Sequence, residues 1–176
     1  KEGRCSSVAS WEIKDTDVKT SYALLANVTL REHSLNVARE ALRLLKARYH
    51  DWQMLVAKTL IAALSHDIGK IPQKNKEKLF KSHHTIIGAS HLQTYVKNLA
   101  CGNEVIQAVR CHHMQLKQLR SQVKERQPLT ELIREADFSA RDKELREIEY
   151  NIKSQDQTEP GQGQTKTRLI PDAMKP

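Results

Sequence analysis

The spacing of hydrophobic and polar positions predicts helices through most of the chain. Between residues 30 and 49, one helical face is predicted to carry Leu30, His33, Val37, Ala41, Leu44 and Leu45. Residues 52–66 are apolar nearly all round, which predicts a buried helix that ends near Gly69 and Pro72. No segment of any length alternates with the two-residue period of a strand. The sequence therefore predicts an all-α fold, a bundle of five or more helices.

Three further helices are predicted over residues 84–99, 104–121 and 129–150. The first of them is predicted to present a stripe formed by Ile87, His91, Leu92, Tyr95 and Val96. Gly102 and Asn103 are interpreted as the turn that separates it from the second helix. Pro128 directly precedes the third helix, and proline is favoured at the first position of a helix.

The chain is interpreted as one domain with two flanking segments. Residues 1–29 are expected to pack around the domain or to continue an upstream region, and residues 30–153 form the domain itself. The composition changes to Gln, Thr, Pro and Gly after Lys153, so residues 154–176 are expected to be a linker or tail. The chain begins with Lys1 rather than methionine, a pattern expected of a fragment of a longer protein.

Charge and composition limit the classes of partner. Across 176 residues, 29 Lys and Arg against 21 Asp and Glu give a net charge of +8, which favours anionic partners such as nucleotides or nucleic acid. No apolar run is long enough for a membrane span, and no signal peptide is recognised. Cys5, Cys101 and Cys111 form no CxxC pair, so reduced thiols and a cytoplasmic location are expected.

The pair His66-Asp67, within the run Ala-Ala-Leu-Ser-His-Asp-Ile-Gly-Lys at residues 62–70, is the strongest chemical feature of the sequence. An imidazole and a carboxylate stand side by side at the end of an apolar helix. Both groups are ligands for divalent metal ions. Lys70 follows three residues after the aspartate and offers a cation for an anionic substrate.

Other histidines and one aspartate are predicted to point inward from separate helices. His33 shares the apolar face of its helix, and Asp137 shares a face with Ile133 and Ala140. A buried carboxylate without a partner would cost several kcal/mol by order of magnitude, so Asp137 needs a metal or another cation. The remaining candidates are His84, at the start of its helix, and His112 and His113, on an inner face.

These positions carry weight only as a set, because a lone histidine on an apolar face is more often a core residue than a ligand. A helical bundle builds a metal site from side chains that converge from facing helices. His50 and His91 fit no such pattern and are interpreted as ordinary polar residues.

The pattern His33, His66-Asp67 and Asp137 resembles the HD superfamily of metal-dependent phosphohydrolases over roughly residues 30–145. The HDIGK string is intact at residues 66–70. His84-Thr-Ile-Ile-Gly88 is similar to the HxxxG motif of binuclear members, and His112-His113 is similar to their double-histidine motif.

The resemblance implies a ligand set for two divalent metal ions. Asp67 would bridge them, and one ion would be held by His33, His66 and Asp137. The other would be held by His84 and His112, with His113 as a further or supporting ligand. Lys70 matches the family's lysine for the substrate phosphate. Mn, Fe, Ni, Co, Zn and Mg are not distinguished by these residues.

Two departures concern the substrate. The HD-GYP group, which cleaves cyclic di-GMP, has the most similar ligand pattern, yet the residues after His113 are Met-Gln-Leu-Lys-Gln-Leu-Arg, without Gly-Tyr-Pro. Thr29 stands where trinuclear members tend to carry Glu. Both departures argue against cyclic di-GMP and a third metal. The segment Ala136-Asp-Phe-Ser-Ala-Arg141 is also loosely similar to the HD domain of conjugative relaxases.

Two basic strips flank the predicted site: Lys70, Lys74, Lys76, Lys78 and Lys81, and then Arg110, Lys117, Arg120, Lys124 and Arg126. They favour a polyanion over a small monophosphate. The sequence thus predicts a metal-dependent phosphohydrolase or phosphodiesterase acting on a nucleotide, cyclic dinucleotide or nucleic-acid phosphate ester. The alternatives are a catalytically inactive, metal-bound regulatory or interaction domain and a binuclear-iron oxygenase.

Overall fold

The computed structural model describes residues 23–71, 80–114 and 128–156. Besides helical residues 23–25, these ranges contain five α-helices, α1 (Leu30–Arg48), α2 (Trp52–Ser65), α3 (Phe80–Val96), α4 (Gly102–Cys111) and α5 (Pro128–Asp156), and a 3-10 turn at Ile68–Lys70. These ranges contain no β-strand. The predicted all-α fold is confirmed.

Helix α1 begins with a capping box. The Thr29 hydroxyl accepts a hydrogen bond from the Glu32 backbone N–H at 3.1 Å, and the Glu32 carboxylate accepts one from the Thr29 backbone N–H at 3.0 Å. These two bonds satisfy donors that the first turn of a helix leaves without partners. Thr29 therefore has a local structural role. The predicted inner face is buried and includes His33.

All five helices contribute to one hydrophobic core. Helix α1 packs against α2 and α5, and α3 packs against α4 and the 3-10 turn. Leu45, Val109 and Ile133 are among its fully buried members. Burial of each such side chain contributes about 1.5–3 kcal/mol relative to an exposed position. Cys101 and Cys111 are free thiols beside this core, and Cys5 lies outside the described residues.

Helix α2 is half-exposed, so the prediction that it is buried all round is wrong. Thr59, Ala62 and Ala63 are buried, whereas Met54 is 84% exposed and Leu64 is 47% exposed. The helices that pack against α2 are α1, α4 and α5, and they leave Met54 and Leu64 uncovered. Overall hydrophobicity does not reveal which side of a helix meets its neighbours.

The stripe predicted for the third helix also needs correction. Helix α3 begins at Phe80 and ends at Val96, and within it Leu92 and Val96 are buried while His91 and Tyr95 are exposed. Gly88 and Ala89 are buried in their place. Small residues therefore form part of the contact surface, and the predicted apolar stripe was too wide.

The fourth helix is shorter than predicted. Helix α4 includes Gly102 and Asn103, which were expected to form a turn, and it ends at Cys111, so the continuous helix predicted over residues 104–121 is wrong. The last helix begins at Pro128 as predicted and continues to Asp156, six residues beyond its predicted end at 150.

Several predictions fall outside the described residues. They concern most of segment 1–29, residues 73–79 of the lysine-rich connection predicted over residues 73–82, the tail beyond 156, and the basic side chains of Lys74, Lys76, Lys78, Lys81, Lys117, Arg120, Lys124 and Arg126. Residues 80–82 of that predicted connection belong to helix α3 instead. The domain boundaries stay a prediction. Among the described residues, no helix combines the length and apolar character needed to cross a membrane.

Two glycines bring α3 against the 3-10 turn. A Cβ atom added to Gly69 would lie 1.9 Å from the His84 carbonyl oxygen and 2.8 Å from the Gly88 backbone nitrogen. A Cβ atom added to Gly88 would lie 3.0 Å from the Gly69 nitrogen. The two backbones touch because neither residue has a side chain. This contact fixes His84 relative to Asp67.

Candidate metal centre

His66 and His112 occupy equivalent positions at the ends of α2 and α4. Each follows the last helical residue, and each Nδ1 lies 2.8 Å from the carbonyl oxygen three residues earlier, in Ala63 and Val109 respectively. A carbonyl can only accept a hydrogen bond, so Nδ1 is the donor in both rings. Carbonyls in the last turn of a helix have no N–H partner within the helix. Both Nε2 atoms are thus left as acceptors.

His33 is oriented by Glu144, which was not among the predicted site residues. Its Nδ1 lies 3.1 and 3.0 Å from the two carboxylate oxygens of Glu144, and the Asn36 amide donates to the same carboxylate at 2.8 Å. Glu144 is only 4% exposed. A carboxylate behind a histidine commonly fixes the ring orientation in metal sites and raises its basicity. The His33 Nε2 lies 3.0 Å from Asp137 Oδ1.

The two carboxylate oxygens of Asp67 face different histidines. Oδ1 lies 3.3 Å from His84 Nε2 and 3.6 Å from His112 Nε2. Oδ2 lies 3.4 Å from His66 Nε2 and 3.9 Å from His33 Nε2. We call His33, His66 and Asp137 the inner group, and His84, His112 and His113 the outer group. Asp67 stands between the two groups.

The spacing within each group suits a metal ion. Two ligand atoms held about 2.1 Å from one ion lie about 3 to 4.2 Å apart. In the inner group, Asp137 Oδ1 lies 3.0 Å from His33 Nε2 and 3.9 Å from His66 Nε2. In the outer group, the Nε2 atoms of His84 and His113 are 3.1 Å apart.

Unpaired buried atoms give a second indication of a cation. Within the described part of the chain, His66 Nε2, His112 Nε2 and Asp67 Oδ1 have no hydrogen-bond partner. A buried polar atom without a partner costs about 1–3 kcal/mol. A divalent ion would satisfy such atoms, because all three are electron-pair donors. The residues present therefore fit a metal, and the clustered His and Asp side chains are able to hold one.

The carboxylates are held in the ionised form that metal binding needs. Burial raises the pKa of Asp67, but His66 and the other ring nitrogens around its oxygens outweigh burial and hold the pKa well below its usual range. Burial also raises the pKa of Asp137, but the His33 hydrogen bond and the Arg141 charge outweigh burial and lower the pKa below its usual range.

Two of the outer rings, those of His112 and His113, are held neutral. Burial lowers the pKa of His112. Burial and the neighbouring His112 lower the pKa of His113 to about 3, although its side chain is partly exposed. Neutral imidazole and ionised carboxylate are the states that bind metal ions.

Two cations border the cluster. The Lys70 ammonium lies 2.6 Å from Asp67 Oδ2, and the Arg141 Nε lies 2.9 Å from Asp137 Oδ1. The structure therefore places Lys70 at the carboxylate between the two groups. Arg141 was not among the predicted site residues.

All seven predicted metal ligands come together in the structure, and one of them differs from the prediction in its burial. His33, His66, Asp67, His112 and Asp137 are buried, and His84 is half-buried. His113 is exposed, which corrects the expectation of an inner helical face, because α4 ends at Cys111 and His113 leaves the helical register. His50 and His91 are exposed and belong to neither group.

A weak sequence feature could have indicated Glu144. It stands seven residues, or two helical turns, after Asp137 and therefore shares the same face of α5. A glutamate in a charged segment is more often a surface residue, so this position alone did not identify it.

The chain matches a known protein family. The sequence profile of the family described as HD domain matches residues 30–142, a span that contains every member of both groups. No curated protein and no solved structure matches the chain.

Proposed function

The chain belongs to the HD domain family, and from this premise we propose that it is a metal-dependent phosphohydrolase or phosphodiesterase. Its substrate would be a phosphate ester of a nucleotide, a cyclic dinucleotide or a nucleic acid. The observation that carries the proposal is the position of Asp67, whose two oxygens face two separate sets of ligand atoms.

We propose that the centre holds two divalent ions. The inner group with Asp67 Oδ2 would hold one, and the outer group with Asp67 Oδ1 would hold the other. Such a pair, when bound, neutralises charge on phosphate oxygens and lowers the pKa of a water molecule, so that hydrolysis proceeds near neutral pH.

The protein's own residues would orient and charge this centre. Glu144 fixes the His33 ring, and the helix-end carbonyls fix His66 and His112. Lys70 lies at the edge of Asp67, where its ammonium would bind a substrate phosphate. His84 and His113 are the more exposed ligands, so the substrate would approach from the side of the outer group.

A metal analysis combined with a substrate screen tests this proposal. The purified protein, supplied with Mn²⁺ or Ni²⁺, is tested on bis-p-nitrophenyl phosphate, nucleoside phosphates and single-stranded DNA. We expect bound metal and metal-dependent turnover of at least one phosphate ester. Two bound metals without turnover of any ester would contradict the hydrolase and favour a regulatory domain or an oxygenase.

A further inference from the structure

Phe138 is an exposed aromatic residue directly beside the candidate metal centre. It follows Asp137 in α5, and 75% of its surface is exposed. Tyr95 and Tyr150 are about as exposed, but each carries a hydroxyl that water can solvate. The Phe138 ring has no polar atom, so its exposure lacks this compensation.

The register of α5 places two arginines between Asp137 and Phe138. With about 100° per residue, Arg141 and Arg134 lie about 40° and 60° around the helix from Asp137, and Phe138 lies at about 100°. The buried residues Ile133 and Ala140 lie on the opposite side of Asp137, toward the core. By helical register, a strip of positions therefore leads from the candidate metal ligand, across two arginines, to the aromatic residue.

Contacts of both arginines link this strip to the centre. Arg141 Nε lies 2.9 Å from Asp137 Oδ1. Arg134 donates to the carbonyl of Met114, the residue after His113, at 2.9 Å. Residues three and four apart are neighbours on a helix surface, so both arginines adjoin Phe138. Glu135 and Asp142 adjoin it on the other side, and their carboxylates are paired with Arg48 and Arg146. We call Arg134, Phe138 and Arg141 the α5 strip.

This combination matches the chemistry of an unpaired nucleobase with its phosphate. Aromatic rings stack on bases of any sequence, and guanidinium groups bind phosphate oxygens in pairs of hydrogen bonds. We propose that the α5 strip binds the substrate, with Phe138 as a stacking platform for an unpaired base and the arginines along the adjoining phosphate. This inference rests on the proposed function and narrows its substrate to a nucleotide or a single strand.

Binding measurements on the full chain with Mn²⁺ test the inference. The probes are a short fluorescent single-stranded oligodeoxynucleotide, an abasic oligomer of the same length and charge, and AMP. Replacement of an aromatic residue that stacks on a base removes the stacking contribution to affinity. Phe138→Ala should therefore weaken binding of the base-bearing oligomer about five- to a hundredfold. Phe138→Trp should restore it, and abasic binding should change little in either variant.

Tyr150→Ala is the matched control, because Tyr150 is an exposed aromatic on the same helix, three turns beyond Phe138. It should bind the base-bearing oligomer like the wild type. Displacement of the oligomer by AMP at a similar concentration would identify a single base with its phosphate as the ligand. Much weaker displacement would identify a strand.

Equal binding of base-bearing and abasic oligomers by the wild type would overturn the inference, because the positive charge of the chain would then explain binding. Unchanged binding in Phe138→Ala would overturn it as well. Stacking that depends on Phe138, in a protein that hydrolyses no phosphate ester, would support the inference and contradict the proposed function. Turnover of a simple phosphodiester without any base-dependent binding would support the proposed function and contradict the inference.

Discussion

The inner and outer groups of the candidate metal centre differ in how their side chains are held. His33, His66 and Asp137 are buried, and the two inner rings are fixed by hydrogen bonds to the Glu144 carboxylate and to the Ala63 carbonyl at the end of α2. His84 and His113 are more exposed, and their ring nitrogens face each other at 3.1 Å. The inner group is therefore preorganised by the core. In the outer group, His112 is buried and held in the same way as His66, whereas the positions of His84 and His113 depend on how α3 and the residues after α4 are placed.

Replacement of Asp67 should have the largest effect, because it is the residue that both groups share. We expect Asp67→Ala to lose metal from both groups and to lose metal-dependent turnover. Lys70→Ala is the control at the same carboxylate and should retain its metals while turnover of phosphate esters falls. Metal content by mass spectrometry and initial rates measure the two effects. A full metal complement in Asp67→Ala would show that it does not bridge.

Disruption of the contact between Gly69 and Gly88 should have the next largest effect. This contact positions His84, so its loss should disturb the outer group. A methyl group on Gly69 would overlap the His84 carbonyl, so Gly69→Ala should destabilise the fold by about 3 kcal/mol or more. Gly88→Ala is the milder counterpart, because its methyl group would meet the Gly69 nitrogen at 3.0 Å. Urea denaturation measures both variants. Equal stability of Gly69→Ala and the wild type would show that α3 is free to move from the turn.

Substitution of Glu144 tests whether its carboxylate orients His33 for metal binding by the inner group. Glu144→Gln keeps the shape of the side chain but removes the charge behind His33, so metal affinity at the inner group should fall about 10- to 100-fold. The outer group should keep its affinity. Glu149→Gln, an exposed neutralisation on the same helix, is the control. Metal titration by calorimetry distinguishes the two, and a loss of equal size in both variants would remove the specific role of Glu144.

A smaller effect is expected at Glu40, which links α1 to α5 away from the metal ligands. Burial raises the pKa of Glu40, but hydrogen bonds from Lys143, Arg43 and Ser139 outweigh it and lower the pKa below its usual value near 4.5. The carboxylate therefore adds stability above pH 4.5, and this contribution is lost as the pH falls through the lower folded-state pKa.

We expect Glu40→Gln to cost about 1 kcal/mol at pH 7 and less at pH 3. Urea denaturation of both proteins at the two pH values measures the difference. A cost that stays constant between the two pH values would contradict an ionised, hydrogen-bonded Glu40.

The contrast between the groups also explains what the sequence could predict. His33 and Asp137 follow the period of helices that bury one face, so their inward direction could be predicted from spacing. His84 and His113 came mainly from the resemblance to the HD superfamily, because their positions depend on a glycine contact and on the end of α4. Where α4 ends is not visible in an apolar pattern that continues past Cys111.

Other features depend on tertiary packing and could not be predicted. The outer face of α2 is as apolar as its inner face, so sequence alone did not show that Met54 and Leu64 face solvent. Glu144 and Arg141 acquire their roles only when α1 and α5 bring them against His33 and Asp137.

The central claim is that Asp67 joins two metal sites, and the number of metal ions bound per chain tests it most directly. Calorimetric titration of the wild type with Mn²⁺ should give two ions per chain. His33→Ala and His84→Ala, each of which removes a ligand from one group, should retain one ion each. A single ion in the wild type, or loss of all metal in both variants, would contradict two sites that share one carboxylate.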